Sequence, residues 1–129
     1  MSETIQMYLG YVLQIVIALG LINVWLVRFN KATKYRGMGA GNMQAEFAAY
    51  GLPTWFMYLV GGAKLLIAAS MIAGFWIPGL VYPASALLAL LMVGAITMHV
   101  KVKDPIVRTL PALLMLLMAL ASMLLIQVI

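Results

Sequence analysis

The chain has 129 residues, 66% of them hydrophobic and only 9% charged, against roughly 25% charged in an ordinary soluble domain. A surplus of that size excludes a water-soluble globule, and four membrane-crossing helices of about 20 residues each use up nearly the whole chain, which excludes a separate soluble catalytic domain. Eight Lys and Arg against three Asp and Glu would suit a nucleic-acid partner in a soluble protein, but here seven of the eight bases sit in two loops between apolar segments, so the bilayer accounts for them and no nucleic acid is expected.

In chain order, the first span is read over residues 5–27, from Ile5 to Val27, with Gln14 and Asn23 as its polar interruptions. Its length and the acidic Glu3 before it speak for a retained span rather than a cleaved signal peptide. Loop 28–52 follows: Gly37, Gly39 and Gly41 make it flexible, and Asn42 is placed to cap a short amphipathic helix reaching about Tyr50, with Met43, Phe47 and Tyr50 on one face at the cytoplasmic interface. The second span, 53–76, opens at Pro53, where a proline has no hydrogen bond to lose. A charge-free turn around Pro78, Gly79 and Pro83 leads to the third span, 80–100; loop 101–109 leads to the fourth, 110–129. Leu52-Pro53 and Leu110-Pro111 each restart a span after a basic loop, a faint echo of two successive hairpins.

The predicted fold is therefore an all-α membrane protein, a single domain over residues 1–129 built as a four-transmembrane-helix bundle. Arg28, Lys31, Lys34 and Arg36 lie in one loop and Lys101, Lys103 and Arg108 in the other, with no base in the turn between them. The positive-inside rule puts both basic loops in the cytoplasm and both termini outside, in the cell (inner) membrane. The same bases, with Tyr35, are candidates for contact with anionic lipid or an acidic partner, although a topology signal alone explains them equally well.

Lys64 is the residue the lipid makes most expensive. Eleven residues past Pro53, it lies about 16 Å into the span, where a lysine costs about 2.5–3.5 kcal/mol to insert. Gly61 and Ala68, at i−3 and i+4, leave room for a neighbouring helix on its face. Gln14 at similar depth, Asn23 and His99 nearer the cytoplasmic end, and above all Glu46 are its candidate partners, and together they outline a polar pocket. The plainer alternative makes Lys64 a packing determinant that touches no ligand. His99 is the only histidine; with no cysteine and few acids it cannot build a metal site. Met115 and Met118 share a face that would suit a soft-metal path, but lipid-facing packing is the simpler use of it. Cysteine's absence also removes thiol relays and iron–sulfur clusters, and no phosphate loop, dinucleotide fingerprint or nucleophile elbow occurs. No catalytic residue, metal or intrinsic cofactor is assigned.

The runs Asn23–Lys31, Thr33–Gly37, Asn42-Met43, Glu46-Phe47 and Tyr50–Trp55, then Tyr58, Gly61, Lys64, the Gly74–Pro78 turn and the Met98–Pro105 loop, resemble the DoxX-like family of small four-helix membrane proteins. The resemblance implies helix-and-loop patterns rather than a catalytic signature. Some relatives are described as membrane subunits of a thiosulfate to quinone oxidoreductase or as partners in oxidative-stress complexes, and a distant vertebrate relative as a receptor-assembly chaperone. The expected role is thus a non-catalytic membrane module whose pocket around Lys64 holds a partner helix, a second copy of the chain or a lipid-soluble molecule such as a quinone. The alternatives are a quinone-facing subunit of an oxidoreductase complex, with His99 or Lys64 handling protons, and a small oligomeric transporter.

Overall fold

The computed structural model describes residues 2–128, which among themselves form helices and turns and no strand. Helix α1 (Glu3–Ile22) starts on the Ser2 side chain, whose hydroxyl accepts from Ile5 N at 3.2 Å. It continues into a widened π turn at Asn23–Val27, closed by Arg28 N donating to Asn23 O at 2.8 Å. After the loop comes α2 (Met43–Ala49), capped by Asn42, whose Oδ1 accepts from Ala45 N at 2.8 Å. Then follow α3 (Thr54–Ala73), a 3₁₀ turn at Pro78–Leu80 leading into α4 (Val81–Lys101), and α5 (Ile106–Val128).

Four segments are long and apolar enough to cross a bilayer: Glu3–Val27, Thr54–Ala73, Pro78–Lys101 and Ile106–Ile126. They pack in the ring order α1, α3, α4, α5, each touching its two neighbours, and turn Leu9, Val12, Leu19, Leu66, Leu90 and Leu114 outward. An exposed apolar belt of this extent needs lipid around it. Exposed Trp55 and Tyr58 mark one end of α3 and Trp76 follows the other. The 22 residues from Trp55 to Trp76 span about 30 Å at the helical rise, the thickness of a hydrocarbon core, and amphipathic rings favour its two edges. Lys64 sits roughly midway between them.

The fourth helix starts earlier than the sequence suggested. Proline at position 111 reads as a span start, yet α5 already begins at Ile106 and carries Pro111 inside it. Only one backbone bond is forfeited there, and Asp104 and Arg108 anchor the turn that starts the helix. Pro53, by contrast, does stand just before its helix, so the two Leu-Pro pairs are not equivalent.

Two apolar clusters divide the bundle along its length. Away from the basic loops, Ile17, Ala18, Ile67, Met71, Leu88 and Ala119 pack with almost no exposed surface. Within this half Ser85 and Ser122 share a buried hydrogen bond of 3.1 Å between α4 and α5. The second cluster, Trp25, Met43, Phe47 and Met57, lies toward the basic loops, where α2 folds inward onto α3 and the π turn. Gly61 makes this packing possible: a Cβ there would meet the Trp25 ring at 2.5 Å, so the indole lies directly on the α3 backbone.

Candidate functional site

Where the second cluster leaves off, the bundle is hollow. A half-open cavity of about 830 Å³ runs from the basic loops to mid-bundle, walled by the π turn of α1, by α2, and by the facing halves of α3, α4 and α5. Its volume falls in the range of small-molecule sites. Lys64, Glu46, His99 and Asn23 all reach its wall, as do Arg28, Lys34, Arg36 and Arg108; Leu91, Met92, Ala112 and Met115 make the deeper wall apolar. The π turn places Asn23, Trp25 and Arg28 on this wall together, as the extra residue per turn shifts the helical register.

Lys64 is half-buried, and its ammonium lies 5.3 Å from the centre of the Trp25 ring, a cation–π contact. Among the described residues it has neither a hydrogen bond nor an ion pair. Glu46 does not supply the expected pairing: its carboxylate takes Arg36 Nη1 at 3.0 Å on one oxygen and the Tyr50 hydroxyl at 2.8 Å on the other. Arg36 was read from the sequence as a loop base available to lipid; it is only 4% exposed. Its other donors close on the carbonyls of Lys31, Arg28 and Phe29, stitching the first loop to the end of α1. An internal carboxylate and three carbonyls with free acceptor capacity draw it inward, where its charge and donors are matched.

Gln14 does not line this cavity. Its Nε2 donates to Met71 O at 3.0 Å, and it borders a separate hollow of about 110 Å³ near Gly74 and Ser122 at the other end of the bundle. A short amide turned toward an unused helix carbonyl satisfies itself without reaching Lys64.

A second polar cluster forms at the basic-loop end. Asp104 receives His99 Nδ1 at 2.7 Å on one oxygen, and Arg108 Nη1 at 2.7 Å and Met38 N at 2.8 Å on the other. Burial works against its ionisation, but the bonds from His99, Met38 and Arg108 outweigh burial and hold the carboxyl below its usual range. With the carboxylate ionised, Nδ1 is the donor and Nε2 is left without a protein partner among the described residues, on a side chain that lines the cavity. Lys101 Nζ donates to Tyr50 O at 3.0 Å, tying α4 to the end of α2. Burial first, and then the Glu46 charge, push the Tyr50 phenol well above its usual range, so it remains a protonated donor. Its ring stands edge-on to His99 at 5.9 Å and is packed by Gly37, where a Cβ would strike the ring at 2.5 Å. Arg28, Lys31, Lys34 and Lys103 stay exposed.

Sequence reasoning missed Trp25 and Tyr50 as parts of this wall, and Asp104 as the acid that holds His99 and Arg108 from behind it. Asp104 was the one with a signal, as an acid five residues after the only histidine and four before an arginine. Among the described residues no group of three acidic or histidine side chains is placed to hold a metal. The sequence model of the DoxX-like family matches residues 12–122. No curated protein and no solved structure matches the chain.

Proposed function

The chain belongs to the DoxX-like family, and from that premise we propose that it is a membrane binding module, without catalysis of its own, whose cavity takes a lipid-soluble amphipathic molecule. The observation that carries this reading is the 830 Å³ hollow with the unpartnered Lys64 on its wall. Lys64 and His99 offer the head group hydrogen bonds while the apolar wall near Met92 and Met115 holds the tail. In this reading the basic loops face the cytoplasm of the cell (inner) membrane, both termini lie on the other side, and the exposed apolar belt leaves room for a partner protein or a second copy of the chain.

A second reading, a quinone-facing subunit of an oxidoreductase complex, draws on the His99–Asp104 pair. An imidazole oriented by a carboxylate is suited to passing a proton to a reduced head group; the electrons would come from a partner that carries the redox centre.

Native mass spectrometry with lipid extraction, on protein purified gently from its own membrane, tests the proposal for wild type beside Lys64→Ala. A defined small molecule or protein partner retained by the wild type and lost from the variant is the expected result. Ordinary phospholipids alone, equal in both, would make Lys64 a structural residue and remove the main support for the module.

A further inference from the structure

The charge and donor inventory of the cavity narrows the class of ligand. Six charged side chains reach its wall: Arg28, Lys34, Arg36, Glu46, Lys64 and Arg108. The one acid among them is fully engaged by Arg36 and Tyr50, and Arg108 is engaged by Asp104 from behind the wall. At the deep end, Lys64 has only the face of an aromatic ring. That ring belongs to Trp25, whose Nε1 is the only buried side-chain polar atom without a hydrogen-bond partner among the described residues. Both groups donate, and the neighbouring Met92, Ala112 and Met115 side chains offer no strong acceptor.

We infer that the cavity binds an anionic amphiphile, a single alkyl chain ending in a carboxylate, with the carboxylate at Lys64; this rests on the binding-module reading. A neutral carbonyl head accepts a hydrogen bond but leaves the ammonium charge uncompensated in a wall shielded from water, which is costly. A carboxylate cancels the charge and brings strong acceptors to an ammonium that has none of its own. Arg28 and Lys34 on the same cavity wall add a positive field that draws an anion in.

The test is native mass spectrometry from phosphatidylcholine nanodiscs loaded in turn with laurate, dodecanol and decylubiquinone, for wild type, Lys64→Met and Lys64→Arg. Thermal unfolding of each variant serves as the folding check. Laurate retained at least tenfold more than dodecanol by wild type and Lys64→Arg, with the preference lost in Lys64→Met, is the expected result. Equal retention of laurate and dodecanol, or retention of decylubiquinone alone, would overturn the anion while leaving the binding module standing. Retention of none of the three would sink both. Displacement of laurate by phosphatidylglycerol that depends on Lys64 would assign the anion to a phospholipid head group and overturn the single-chain carboxylate.

Discussion

The two halves of the bundle share the same helices and nearly the same apolar composition, yet one is filled and the other hollow. Around Leu88 and Ala119 the side chains close on each other, and the few polar groups, Gln14, Ser85 and Ser122, satisfy themselves locally. Toward the basic loops, Lys64 and His99 interrupt the apolar faces, α2 folds in to wall the cavity, and two ionic clusters hold its roof. Apolar contact alone makes a core; a cavity inside a membrane protein needs polar struts to stay open.

Breaking a strut should therefore cost more than trimming the core it replaces. Arg36→Gln leaves the Glu46 charge without its cation and the Lys31 carbonyl without its side-chain donor, and a loss of about 4 kcal/mol is expected, the scale for breaking a buried pair, read as thermal unfolding in detergent. Leu88→Ala, in the filled half, should cost about 3 kcal/mol, in line with buried leucine truncations, whereas Met115→Ala on the cavity wall should cost well under half of that by the same assay. Asp104→Asn should cost about 2 kcal/mol through weakened bonds to His99, Arg108 and Met38. Its pH signature is distinct. Because the folded carboxyl titrates below its ordinary value of 3.8, its stabilisation is fully present above that value and is lost as pH falls through the lower folded one; the asparagine variant should show a flatter stability profile below pH of about 4. Lys64→Met should change stability by less than about 1 kcal/mol or raise it, while abolishing ligand retention.

The helices were largely legible in the sequence, since hydropathy and span length alone place the four spans, and Asn42 and Pro53 mark where α2 and α3 begin. The α5 start was not, because a proline signals a helix boundary only when the residues before it have nothing else to anchor a turn, and Asp104 with Arg108 do. In the hollow half, depth in the membrane put His99 and Asn23 within reach of Lys64, and its place as the only acid between Glu3 and Asp104 nominated Glu46; all four reach one cavity. Who pairs with whom was out of reach. Arg36 and Glu46 are ten residues apart in a loop with no periodicity to put them face to face, and Trp25 enters the wall only through the π turn, which hydropathy does not register. Gln14 shows the converse, since similar depth said nothing about which way the side chain turns.

The most direct measurement of the difference between the halves uses the absence of native cysteine. Ala112 lines the cavity and Ala119 is buried in the filled half, seven residues apart on the same helix, so Ala112→Cys and Ala119→Cys differ in surroundings and little else. Labelled in nanodiscs with a small neutral methanethiosulfonate, Ala112→Cys should react quickly and Ala119→Cys should resist. Equal rates at the two positions would contradict a hollow that stops at mid-bundle.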